Sequence, residues 1–416
     1  MVGKTMSMAV TSREKLASLL NTAKLAIDIP SKLESLRQLR HELPPEDPVL
    51  LTEFLPSLFL FHTDPFGPVR KFVTEMFGEI GLKNTEFLSD IVPVLIEVLD
   101  DDTPAVVRQA LLCGIQLFRG TLEKIVVQGL YSSDLDGALE SAWEWMLKFK
   151  DKVYSIAFQH GSGGAKLLAL KFVEALIRLY TPDPSGSPEP TSHQGKPVEF
   201  NILWLRRGHP VLNIGDLKIE ASHRLGLLLD QLRFPNVKSL SNSVIIVLIK
   251  SLSAIANERP AFYGRILPVL LSLEPSSSVV NGVCVSAAHL ALKNAFLTCS
   301  KCTHPSAAPH VSRYSLSHQI TTSPLHSSFF CHCPPLSFPL GRTESRPSHN
   351  TIANPLGHRA QSYLCDLCLI LLVTRQPCAT FCPSKHCCAS SIVVASPPSL
   401  GLLCSWHLKV GSILWL

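Results

Sequence analysis

The strongest constraint on the fold is an internal repeat. Between residues 69 and 80, apolar side chains fall at Val69, Phe72, Val73, Met76, Phe77 and Ile80. That spacing places all six on one stripe of an amphipathic helix. Displaced by 38 residues, the stripe returns as Val107, Ala110, Leu111, Gly114, Ile115 and Phe118, with Arg70 falling on Arg108 and Asp64 on Asp102. The helix before each stripe recurs less strictly, Phe54, Leu58 and Phe61 mapping onto Val92, Ile96 and Leu99. A helical hairpin repeated at such an interval cannot bury its apolar face alone and must stack on its copies. The expected fold is therefore all-α, a HEAT/armadillo-like α-solenoid of stacked antiparallel helix pairs.

Turn chemistry agrees with that reading. His62-Thr63-Asp64-Pro65 and Asp101-Asp102-Thr103-Pro104 each follow one apolar helix and precede the next. Aspartate there caps backbone N–H groups and favours the positive end of the helix dipole. Proline fits the first turn, where its missing N–H is no loss. An arginine just inside the second helix is placed to reach a turn aspartate in its own or a neighbouring repeat.

The pattern extends both ways. Ser12 to Leu43 reads as a first helical pair broken near Ile29-Pro30, and Leu122 to Gln159 as an aromatic-rich pair. Ala165–Tyr180 is a further amphipathic helix, followed by Ile219–Leu232, Leu240–Asn257, Pro260–Leu273 and Val279–Leu297. Thr181–Pro197 holds five prolines and no apolar cluster, so a mobile loop is expected over 181–197. The resulting domain spans 12–309.

Residues 310–416 are a different polymer. They carry seven Lys/Arg against two acids, Glu344 and Asp366, with nine of the 13 cysteines and ten scattered prolines. Ser, Pro, Leu, Cys, His and Phe dominate, which is what translation through an intron or past a frameshift produces. A low-order tail, read as a gene-model or splice artefact, is expected there. In the body, acids and bases nearly cancel, so a basic nucleic-acid footprint is not expected. Neither Val244–Ile249 nor Leu367–Val373 approaches the roughly 20 apolar residues of a bilayer span, so no membrane association is expected. No secretory leader is evident over Met1–Val10. Sparse body cysteines fit a reducing compartment.

Four stretches carry a family resemblance: Asp64-Pro-Phe-Gly-Pro-Val-Arg-Lys-Phe-Val73, Leu170-Lys-Phe-Val-Glu-Ala-Leu176, Phe200-Asn-Ile-Leu-Trp204 and Ala254-Ile-Ala-Asn-Glu-Arg-Pro-Ala-Phe262. Their order and spacing over about Ser12 to Pro309 resemble the N-terminal HEAT-like domain of symplekin, most closely plant symplekin-like proteins, and the likeness stops after Pro309. The resemblance implies a nuclear, non-catalytic scaffold of pre-mRNA 3′-end cleavage and polyadenylation. Its implied partners are other cleavage and polyadenylation factors and a phosphatase of the RNA polymerase II C-terminal tail. The implied contact includes Lys171, with Lys166 and Glu174 on the same helix. Lys171 lies about 150° around the helix from the apolar stripe, so it is expected to be exposed. Contacts made through the longer family members' further helical regions do not carry over. The alternative is an RNA-binding solenoid or another HEAT adaptor, in nuclear transport or kinase scaffolding, because fold alone does not specify pathway.

Other chemistry reads weakly. Cys365-x-x-Cys368 with Cys378, Cys382, His386, Cys387 and Cys388 offers zinc-ligand types, but the pairing is irregular. Cys299-x-x-Cys302-x-His304 lacks a second pair and reads as helix-end packing. His160-Gly161-Ser162-Gly163-Gly164 has neither the spacing nor the strand of a nucleophile elbow. Asp100-Asp101-Asp102 reads as capping. Phe200 and Trp204 read as loop anchors, with Arg206-Arg207 beside them. No catalytic set, metal or cofactor is expected.

Overall fold

Beyond α1 (Val2–Leu25), two aspartates start the next helices. Asp28 accepts the Ser31 N–H at the head of α2 (Ile29–Glu42), and Asp47 those of Val49 and Leu50 at the head of α3 (Pro48–Phe59). Each satisfies donors that a first helical turn leaves without an intrahelical partner. The computed structural model describes residues 2–309 apart from 45–46, 133, 160–162, 191–198, 274–278, 281–282, 285, 303 and 306. They all lie in one compact unit, Met1–Pro324; the second unit, Leu325–Leu416, and the expected low-order tail over 310–416 lie outside them.

The repeated stripe forms two helices, α4 (Gly67–Lys83) and α6 (Pro104–Tyr131), with α5 (Leu88–Val98) between them. Val69, Val73, Met76, Phe77 and Ile80 are buried in α4, as are Val107, Ala110, Leu111 and Phe118 in α6. Phe72 is half-buried beneath the Arg40 guanidinium, 5.6 Å from its ring centroid. No break comes at Leu122, where a separate pair was expected to begin. Leu122, Ile125 and Val126 prolong the same buried stripe with no proline to interrupt it, so α6 runs on to Tyr131 and the second member is α7 (Gly137–Phe158) alone.

α8 (Gly164–Leu179), α9 (Ile214–Leu232), α10 (Asn242–Glu258), α11 (Tyr263–Leu271) and α12 (Ser286–Ser300) complete the described helices. The expected helix over Val279–Leu297 begins only at Ser286. Ahead of it, β1 (Val279–Val280) pairs antiparallel with β2 (Val283–Cys284), the one strand pair among the described residues. Valine branching at Cβ favours the extended backbone there.

Even-numbered helices stack in order, α2 on α4, α4 on α6, α6 on α8, α8 on α10 and α10 on α12. Odd-numbered helices form the other layer, with α5 on α7 and α9 on α11. Two glycines allow close approach: a Cβ at Gly78 would lie 2.5 Å from Cys113 Sγ, and one at Gly114 2.1 Å from Phe149 Cζ. Gly114 occupies the stripe position that Met76 fills one repeat earlier, because Phe149 of α7 supplies the missing volume. A feature missed by periodicity is the recurring apolar-Pro-x-Leu of the odd helices: Leu55-Pro56-Ser57-Leu58, Val92-Pro93-Val94-Leu95 and Leu267-Pro268-Val269-Leu270. The residues flanking each proline on the core side are buried, while Pro56 and Pro268 face solvent.

Candidate protein-docking face

α8 meets four other helices, α6, α7, α9 and α10, and is therefore apolar over most of its circumference. Leu167 to Leu170, Phe172, Val173, Leu176 and Ile177 are all buried. This changes the standing of its charged side chains. Lys166 is buried at 7% exposure, and its Nζ donates to the Gln159 carbonyl at 2.6 Å, so the ammonium closes the end of α7. Burial lowers its pKa from the ordinary lysine range. Cations near a helix C-terminus satisfy orphan carbonyls and the negative end of the dipole. A contact role for Lys166 on an open surface is thus incompatible with its position.

Lys171 was expected to be exposed; its side chain retains 17% of its accessible surface. The apolar stripe accounts for one covered face of α8, and α10 packs against the helix as well. Lys171 Nζ lies 2.5 Å from Glu174 Oε2, and Glu174 is itself buried at 4% exposure. Arg178 Nη1 approaches the other oxygen of Glu174 at 3.5 Å, while its Nε pairs with Glu258 of α10 at 2.5 Å. These pairs sit three or four residues apart along α8, the spacing at which side chains on a helix meet. The structure therefore brings Lys171 and Glu174 together and separates Lys166 from them.

The line continues into residues that sequence reasoning passed over. Arg259, at 8% exposure, donates from Nε to the Thr181 carbonyl and hydroxyl, both at 3.1 Å, and from Nη2 to the Arg178 carbonyl at 2.7 Å. Its Nη1 lies 3.3 Å from Asp183 Oδ2. Burial raises the pKa of Glu258 against the pull of Arg178 and Arg259. Burial would also raise Asp183, but hydrogen bonds from Ser185 and the Arg259 charge outweigh it and hold the carboxyl below its ordinary range. Arg259 stands in the Glu-Arg-Pro stretch already singled out, so the signal was present; its partners, some 80 residues earlier, were not legible.

The segment expected to be a mobile loop is tied down where it is described. Besides Arg259, Asn201 Nδ2 donates to the Asp183 carbonyl at 3.0 Å and Trp204 Nε1 to the Ser187 carbonyl at 3.0 Å. Phe200 and Trp204 are buried and meet edge to face at 5.5 Å, which supports their reading as anchors. Arg206 and Arg207 are exposed. Residues 191–198 lie outside the described residues.

Along the even helices the half-buried and exposed charges are mixed in sign. Arg40 of α2 pairs with Glu75 and Glu79 of α4, Arg119 of α6 with Glu199, and the α8–α10 line alternates. A face of this kind suits a protein partner better than a phosphate backbone, which calls for a run of one sign. Asp101 is spent on Arg70 and the Thr103 N–H, and Asp100 on Lys152, in keeping with a capping role. Cys299 is buried, its thiol raised by burial, and its carbonyl accepts from Tyr263 Oη at 3.2 Å. No metal-ligand cluster and no helix long and apolar enough to cross a membrane occur among the described residues. His160, Gly161, Ser162 and the cysteines beyond residue 310 lie outside them.

A family model described as Symplekin/PTA1 N-terminal matches residues 103–328, over half of the 416-residue chain. The match opens at the turn before α6 and takes in α8 and α10. It begins later than the resemblance drawn from Ser12 and runs past Pro309. Among solved structures, an engineered protein is 13% identical, with 68% of this chain and 97% of that one covered at a TM-score of 0.30. Human deoxyhypusine hydroxylase in complex with glycerol is 14% identical, with 70% and 97% covered at a TM-score of 0.22. Neither likeness carries an argument at these scores.

Proposed function

The chain belongs to the Symplekin/PTA1 N-terminal family, and on that premise we propose a non-catalytic nuclear scaffold that binds an RNA polymerase II C-terminal-tail phosphatase through its α8–α10 face. The family membership supports a scaffold role in mRNA 3′-end processing. The observation that carries the finer reading is the Lys171-Phe172-Val173-Glu174 stretch inside the matched span, where Lys171 stays partly exposed and is held by buried Glu174. The mixed charge of that layer favours a protein ligand, and stacked helical pairs build the extended surfaces that scaffolds use. Other cleavage and polyadenylation factors are the further partners on this reading. The proposed domain is 12–309; residues 310–416 lie outside the described residues.

The test is a binding measurement between the full chain and the phosphatase, with Lys171→Gln as the variant. Charge reversal to glutamate is a poor probe, because it sets a second carboxylate against buried Glu174 and disturbs the fold itself. Binding that weakens in Lys171→Gln, with helicity unchanged by circular dichroism, supports the reading. A folded wild-type chain that does not bind the phosphatase removes that partner.

A further inference from the structure

Lys250 lies on α10, which packs on α8, and the charge of Lys171 on α8 is near enough to bear on it. Among the described residues, the charges around it have counter-ions: Lys171 has Glu174, Arg178 has Glu174 and Glu258, and Arg259 has Asp183. Lys250 has no ion pair or hydrogen bond from its ammonium among the described residues, yet it is only partly exposed. Burial, and then the repulsion of Lys171, lower its pKa from the ordinary lysine range. Both carboxylate oxygens of Glu174 are already engaged, one with Lys171 and the other with Arg178. Long ammonium side chains ordinarily swing into water rather than stay half-covered beside a like charge. Among the described residues Lys250 is thus a partly covered cation without a counter-ion, on the helix packed against the one that carries the pair assigned to partner binding.

We propose that Lys250, with Lys171, forms the docking point for a carboxylate-bearing segment of a protein partner. The inference rests on the α8–α10 reading of the docking face but specifies the ligand chemistry. A carboxylate set between the two ammonium groups relieves their repulsion and makes a charge-assisted hydrogen bond in a partly dry setting, where such bonds are strongest. Bidentate geometry is not required of lysine, which acts as a point charge.

The test uses the full chain and two probes, a ten-residue oligoglutamate peptide and the polymerase-tail phosphatase. Lys250→Gln, Lys250→Arg and, as a control on the odd layer, Lys218→Gln are compared with wild type, and an RNA ten-mer is a third arm. The expected result is about five- to tenfold weaker peptide binding by Lys250→Gln, a shallower dependence on salt, and retention in Lys250→Arg and Lys218→Gln. Equal binding by wild type and Lys250→Gln overturns the proposal, as does RNA outcompeting the peptide at the same lysines. If the peptide binds through Lys250 while wild type ignores the phosphatase, the phosphatase reading fails and the acidic-segment site stands.

Discussion

The guanidinium of Arg70, in α4, closes on the carboxylate of Asp101 at the turn before α6, Nε to Oδ2 at 2.6 Å and Nη2 to Oδ1 at 2.9 Å. Nη1 also donates to the Asp64 carbonyl at 2.8 Å, so one side chain joins the turn of its own repeat to the turn of the next. Lys32 and Asp64 form the preceding rung at 2.5 Å, again between one hairpin and its successor. Stacked repeats are stabilised by nearest-neighbour interfaces, and these charge pairs set the register of each interface. Arg70→Ala is expected to lower stability by about 2–4 kcal/mol, because it leaves nearly buried Asp101 without its cation. Urea denaturation monitored at the helical band measures this, with Arg70→Lys recovering only part of the loss.

Acid sensitivity follows from the same pair. Burial would raise the Asp101 carboxyl, but hydrogen bonds from Arg70 and the Thr103 N–H hold it below its ordinary value of 3.8. A depressed folded-state pKa means that the unfolded chain binds the proton first as pH falls. The stabilisation is present above the ordinary value and disappears as pH drops through the folded one. Melting temperature is therefore expected to fall as pH is taken below 3.8, and Asp101→Asn should flatten that part of the profile.

Gly114→Val tests the close approach of α6 and α7. The added carbons meet Phe149, whose ring contacts Phe172 of α8 at a centroid distance of 6.1 Å, so the disturbance crosses three helices. Overpacking of this sort costs about 1–3 kcal/mol. Gly114→Val with Phe149→Leu should recover part of the loss, measured as a double-mutant cycle.

Arg259→Ala should free the segment after α8 without unfolding the helices around it. The carbonyls of Arg178 and Thr181 lose their donor, at about 1–3 kcal/mol for the buried share. Hydrogen exchange across 181–187 is the measurement, with faster exchange expected there and little change in α4 or α6. Unchanged exchange would show that Asn201 and Trp204 hold the segment by themselves.

How far the sequence could be read depended on whether the deciding contact was local. The stripes of α4 and α6 and the turn aspartates and prolines before them were legible, because each depends on residues within one or two turns. Lys171 was misread because its covering helix, α10, begins some 70 residues further along the chain. The apolar-Pro-x-Leu motif of α3, α5 and α11 also stands in plain sequence, in three copies at 55–58, 92–95 and 267–270 whose uneven spacing no fixed period reveals. For α6, the length was misjudged because continuity requires only that nothing stop the helix.

The sequence by itself determined that this chain stacks helical hairpins, since apolar stripes repeating every 38 residues have no other way to leave water. It also marked the turns before α4 and α6, where Asp64 accepts the Phe66 N–H and Asp101 the Thr103 N–H. Only the tertiary structure decided which charges on those helices are available. Lys166 is spent closing α7, Lys171 is half-covered and paired, and Lys250 has no counter-ion among the described residues. Exposure and charge compensation are properties of three-dimensional neighbours, and a helix touched on four sides by others has no face that its own periodicity can label as open.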